Sequence, residues 1–284
     1  MTHTRRHFIR IVPALGAFAL PIASPAFAAP SFGQAPAPEE PVWPPPEPPH
    51  GAPVDESFPS HHIALAKEIV AVSHGNLARV KELVQQHPAL AKASFDWGYG
   101  DWETALGAAS HTGRREIAEL LIENGAPPTL FSAVMLGQLD LVKAFIAATP
   151  GAQRMRGPHS ISLMTHAKLG GPPAAAVVQY LESLGDADLP LKNEPIATDD
   201  RAQLDGRYSF GSRPRDSFKV AVAANGVSIE RAGAPFARGI MHLGDLAFHP
   251  VGAHHVRIRF EREAGKIVAL TVSDPDVIVR ATKM

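Results

Sequence analysis

Aromatic side chains, acids and glycines are concentrated in one short stretch, Phe95-Asp96-Trp97-Gly98-Tyr99-Gly100-Asp101-Trp102, which holds two of the three tryptophans and one of the three tyrosines. Rigid aromatics with polar tips anchor protein interfaces, because they bury a large area at little entropic cost. Trp97, Tyr99, Asp101 and Trp102, with His111 and Arg114 close by in sequence, therefore form a candidate partner-binding patch. The alternative for the tryptophans is that Trp97 or Trp102 folds back to cover a gap between helices. Trp102, close to Thr104, suits that alternative at least as well.

The other chemistry-bearing residues are 14 histidines in a chain with no cysteine. Disulfides, thiolate metal sites and cysteine nucleophiles are excluded. The adjacent pairs His61-His62 and His254-His255 point apart on a strand or a helix, and no two histidines sit four apart on a helix around a glutamate. The expectation is no metal and no cofactor, with His242 and His249 on the surface or rim of their domain. Arg154, Arg156 and His159 are either an anion grip or, the favoured reading, ordinary solvated charge. No G-x-S-x-G elbow, S-x-x-K pair or phosphate loop is present, so no catalytic residue is named and no enzyme is expected.

These residues are carried by a helical pattern. Thr104 to Ala126, TALGAASHTGRREIAELLIENGA, reads as a short helix, a break at Gly113 and a second helix with Ile117, Ala118, Leu121 and Ile122 on one face, closed by Gly125. Two such helices cannot bury their apolar faces alone, so stacked neighbours must supply the core. Thr104, Leu106, Ala109, Gly113, Ile117, Leu121, Gly125 and Ala126 occupy the matching positions of the ankyrin pattern, which this stretch resembles. Ala105 and Gly107 depart from it at its usual Pro and His. The same helix, glycine, helix plan recurs around Gly75, around Gly137 and, more weakly, around Gly170 and Gly171. The resemblance implies an α-helical ankyrin-repeat solenoid of three to four repeats over residues 61–189, whose hairpin loops and first helices form a concave binding face.

The chain ends read differently. Residues 1–28 are read as a signal peptide, with Arg5, Arg6 and Phe8 ahead of a mildly apolar run and Ala26-Phe27-Ala28 as a cleavage site. The Arg pair resembles the twin-arginine signal, which implies export to the bacterial periplasm or beyond; an ordinary secretory signal is the alternative. Loss of this leader removes three Arg and no acid, leaving the mature chain mildly acidic. Residues 29–60 are proline-rich, with Pro44-Pro45-Pro46 consecutive, and are expected to be an extended or disordered tether, or else a ligand for a proline-binding groove. After a linker over 190–203, apolar and polar residues alternate through Phe218–Val222, Val227–Ile229, Val256–Phe260 and Ile267–Val272, with Asn225-Gly226 and Ala264-Gly265 as turns. Residues 204–284 are expected to form a small antiparallel sheet or partly closed barrel of six or seven strands. Their layout resembles the β domain appended to many bacterial extracytoplasmic hydrolases.

The charges, 27 Lys and Arg against 28 Asp and Glu, show no basic stripe for nucleic acid, and no apolar run reaches the roughly 18 residues that cross a bilayer. The expectation is a multidomain α + β protein, exported and without stable membrane insertion after signal cleavage. It works as a non-catalytic scaffold for a protein partner. The alternative function lies in the β domain, as a small-ligand-binding or enzyme-accessory module.

Overall fold

The computed structural model describes residues 56–234, 236–275 and 277–284. The leader with Arg5, Arg6, Phe8, Ala26 and Ala28 lies outside the described residues, as does most of the proline-rich stretch.

Four helix pairs come first: α1 Ile63–Val72 with α2 Leu77–Gln86, α3 Ala105–His111 with α4 Arg115–Glu123, α5 Leu130–Met135 with α6 Leu139–Ala148, and α7 Leu163–Leu169 with α8 Ala175–Ser183. The start of each first helix is fixed by a side chain that accepts a backbone N–H: His62 for α1, Thr104 for α3, Thr129 for α5 and Ser162 for α7. The pairs stack by burying small and apolar faces. Ile69, Val70, Leu106, Ala109, Ile117 and Leu121 fill one core, and Ala133, Val142, Leu163, Ala167, Val177 and Leu181 another. First helices contact first helices, α1 on α3, α3 on α5 and α5 on α7, while α2 packs on α4 and α6 on α8. Helix α7 also reaches past α5 to touch α3. Where the end of α7 meets the end of α5, a Cβ on Gly170 would lie 2.1 Å from the Met135 carbonyl oxygen, so only glycine permits that approach.

Between the first and second pairs the aromatic stretch forms a two-stranded hairpin, β1 Ser94–Asp96 against β2 Trp102–Thr104, with Phe95 opposite Glu103.

The second half is a closed antiparallel barrel of eight strands: β3 Gly206–Ser209, β4 Ser217–Ala223, β5 Gly226–Arg231, β6 Arg238–Gly244, β7 Ala247–Pro250, β8 Arg257–Glu263, β9 Lys266–Asp274 and β10 Val277–Lys283. Each strand pairs with the next, and β10 closes on β3 through Thr282 with Ser209 and Lys283 with Tyr208. Alternation drives closure: Val220, Ile229, Ile240, Phe248, Ile258, Phe260, Leu270 and Val272 point inward, and joining the two edges leaves no unpaired strand. The expected partly closed sheet of six or seven strands is therefore a full eight. The strand that the sequence pattern hides is β6, because two of its three buried residues, Arg238 and His242, are polar. A ninth helix, α9 Thr198–Leu204, occupies part of the expected 190–203 linker and packs on β4 and β9, its Leu204 carbonyl accepting the Tyr208 hydroxyl at 2.7 Å. No helix among the described residues is long and apolar enough to cross a membrane.

Candidate functional site

Alternation along the second hairpin strand decides the site. Trp102 points to solvent at 62% exposure, so Asp101 and Glu103 on either side must face the other way, where they are 3% and 1% exposed. Two carboxylates are thereby placed inside the protein beside the end of α3, the α1–α2 turn and the loop ahead of α7.

Glu103 is the hub. Its Oε1 lies 2.6 Å from His111 Nε2 and 3.5 Å from His159 Nε2, and its Oε2 lies 3.6 Å from His74 Nε2. The indole N–H of Trp97 donates to Oε2 at 2.7 Å. One ligand-type atom from each of His74, Glu103, His111 and His159 lies within 4.8 Å of all the others. Each ring has a distinct support. His74 Nδ1 sits 3.1 and 3.0 Å from the carbonyl oxygens of Val70 and Ala71, so this nitrogen carries a proton and Nε2 is the atom turned toward Glu103. His111 is held by α3. His159 sits in a tight turn, Pro158–Ser160, where His159 and Ser160 both have positive φ, 57° and 60°. Such backbone is costly for non-glycine residues and persists only where its surroundings hold it.

Asp101 provides that hold. It accepts the His159 backbone N–H at 3.0 Å, the His159 Nδ1–H at 2.7 Å and the Arg238 Nη1–H at 2.5 Å. Arg238 opens β6 and also donates to the carbonyls of Val251 and Trp97, so the barrel grips the back of the site. Gly252 approaches so closely that a Cβ would lie 2.4 Å from an Asp101 oxygen, and its N–H donates to Ser160 Oγ at 2.9 Å.

The charges follow from these contacts. Burial pushes the Asp101 carboxyl up, but the bonds from His159 and Arg238 outweigh it and hold the group at about 2. Burial acts on Glu103 in the same sense, and His111 and His159 likewise hold it at about 2. Burial pulls His159 down, but the two carboxylates lift it to about 9. Behind the cluster His166, fully buried and 6.4 Å from His111 between ring centroids, is pushed by burial down to about 4. Its Nδ1 donates to the Ser162 carbonyl, and its Nε2 has no hydrogen-bond partner.

No family model matches the sequence, and no curated protein or solved structure matches it either. The site therefore stands on its geometry. It opens into a cleft of about 380 Å³ lined by Ala71, His74, Trp97, His159 and Phe236.

The residues expected to form a partner-binding patch are divided by the fold. Asp101 and His111 are buried within the cluster, where no macromolecular partner reaches them. Trp97 packs on the helical core and Tyr99 on the barrel core, so the hairpin tip bridges the two halves. Arg114 is exposed, and its Nε donates at 2.9 Å to the His74 carbonyl, bracing the turn that carries a cluster residue. Trp102 does not fold back over a gap but faces solvent. His242 and His249, expected at a rim, are 7% and 6% exposed. His159, grouped in the sequence with solvated arginines, belongs to the cluster, while Arg154 pairs with Asp186 at 2.7 Å. The set His74, Glu103, His111 and His159 is missed by local spacing because four separate segments supply it. The available signal is Asp101-Trp102-Glu103, a carboxylate, aromatic, carboxylate alternation on a strand.

Proposed function

We propose that this protein binds a divalent first-row transition metal through His74, Glu103, His111 and His159, and that the ion acts on a small molecule entering from the adjoining cleft. The observation that carries this reading is the convergence of four ligand atoms within 4.8 Å of one another. Atoms about 2.1 Å from one tetrahedral ion stand about 3.4 Å apart, so the widest pair of this set closes by up to about 1.4 Å on binding, a movement within reach of side-chain rotation. Three imidazoles and one carboxylate suit Zn²⁺, Fe²⁺, Ni²⁺, Cu²⁺ or Mn²⁺ rather than the all-oxygen sets of Ca²⁺ and Mg²⁺. The supports match those of metal-bound histidine, which donates its second nitrogen to a carbonyl or carboxylate: His74 to Val70 and Ala71, His159 to Asp101. Glu103 contributes the negative charge, and binding displaces the proton that the two carboxylates hold on His159 at neutral pH. An ion in a cleft rather than a closed cage can polarise a bound group or activate a water.

The test is metal content. Chain 29–284 is loaded with Zn²⁺ or Mn²⁺, dialysed and assayed for bound ion, beside Glu103→Gln and His111→Ala. One retained equivalent in the parent, lost in both folded variants, supports the site. A parent that retains none, or variants that retain as much, refutes it.

A scaffold for a protein partner, as expected from the sequence, is a second reading, and exposed Trp102 supports it. The capped first helices and row-on-row contacts support an ankyrin-type origin for the helix pairs. Capture of a protein partner that depends on Trp102, with metal content unchanged, separates this role from the first.

A further inference from the structure

A second cavity, about 480 Å³, lies where the hairpin tip meets the mouth of the barrel. Phe95, Trp97 and Tyr99 form one wall; Phe218, Ile229 and Phe236 are among the barrel residues opposite. Its volume falls in the range that takes small organic molecules. Trp97 and Phe236 also line the cleft onto which His74 and His159 open, and their ring centroids stand 5.8 Å apart. One aromatic pair therefore borders both spaces. Trp97 is held by the bond from its indole N–H to Glu103, so passage between the two spaces is opened by rotation of Phe236, which is 41% exposed.

We infer that the cavity takes the apolar body of a small amphipathic anion whose carboxylate-like head reaches the metal past Trp97 and Phe236. The body is assigned by the lining. Five aromatic rings and several aliphatic side chains give a surface that favours a planar or acyl group over a sugar or a nucleotide. The head is assigned by charge. Acids and bases at the cavity itself balance, with Lys67 and Arg231 against Asp96 and Asp274, since Arg238 is paired with Asp101. Asp101 is offset by Arg238, and Glu103 supplies a single negative charge to a divalent ion. The centre is then net positive, and an anionic oxygen is the complementary ligand. The head-group part of the inference rests on the metal reading above; the cavity part does not.

The probe pair is 1-naphthoate and its neutral analogue 1-naphthalenemethanol, titrated by calorimetry into chain 29–284 with and without Zn²⁺, metal content being measured on the same samples. Val279→Trp and Ala234→Trp each fill the cavity from a different wall, and whichever remains folded serves as the control. The expected result is naphthoate binding at least tenfold tighter to the loaded protein than to the metal-free one, little metal dependence for the alcohol, and at least tenfold loss for both in the filled variant. Equal naphthoate affinity in demonstrably loaded and metal-free protein overturns the head-group contact. Absence of binding, or binding indifferent to the filled cavity, overturns the proposal while the measured metal content still stands. If metal content shows no site, the metal reading fails, and cavity binding is judged by the filled variant alone.

Discussion

Replacing Asp101 by Asn tests whether the buried carboxylate joins the two halves of the protein. Asn preserves the shape and one acceptor oxygen but removes the charge opposite Arg238, which is 7% exposed and keeps only the carbonyls of Val251 and Trp97. Breaking a buried pair by removing one partner costs about 3–5 kcal/mol, and the two surviving carbonyl bonds put this case near the lower end, about 3 kcal/mol. A separate route gives a similar figure. Holding a carboxyl at about 2 rather than its usual value near 3.8 is a lowering of roughly 2 pH units, or about 2–3 kcal/mol at neutral pH. The folded-state pKa is depressed, so this contribution is present above about pH 4 and is lost as pH falls through about 2. Urea unfolding of parent and Asp101→Asn at pH 7 should differ by about 3 kcal/mol, and the gap should narrow between pH 4 and pH 2. Adding Arg238→Met to Asp101→Asn should recover part of the loss, because the uncompensated cation is gone. A difference below about 0.5 kcal/mol at pH 7, or one that does not shrink in acid, would refute the argument.

Three further outcomes follow from individual contacts. His166 is neutral when folded because burial pushes it down to about 4, so its contribution is intact above its ordinary value near 6.5 and is lost as pH falls toward 4. His166→Phe should flatten that part of the stability profile by up to about 3 kcal/mol, read from urea midpoints at pH 7, 5.5 and 4.5. Gly170→Ala forces a Cβ to 2.1 Å from the Met135 carbonyl, whereas Gly171→Ala meets open space at a φ of 65°. Thermal unfolding should show the first costing at least about 2 kcal/mol and the second about 1 kcal/mol. Trp97→Phe removes the indole N–H from Glu103 while keeping an aromatic wall; metal affinity by competition with a chelator should fall about 10–100-fold, the usual effect of an outer-shell partner, with the fold unchanged.

The sequence revealed what is local. The helix, glycine, helix punctuation around Gly75, Gly113 and Gly137 locates three helix pairs, and Asn225-Gly226 locates the turn between β4 and β5. Closure of the barrel is not local: β10 meets β3 across the whole domain, and no feature of either strand names the other. The same reason hides the site. His74, Glu103, His111 and His159 come from four segments, and the packing of α7 on α3 rests on close approaches at glycines rather than on a motif. The aromatic stretch stands out by its composition, but its chemistry lies in the acids between the rings, and only the burial of alternate residues reveals that.

The hairpin also constrains how this protein can vary by inheritance. Its second strand works by parity: Trp102 outward, Asp101 and Glu103 inward. A single codon gained or lost between Asp101 and Thr104 exchanges the two faces, driving the indole into a space shaped for carboxylates and exposing the acids to water. Substitution at Trp102 keeps that parity and leaves both acids in place. Descendants of this chain are therefore free to change the outward residue and bound to keep the count.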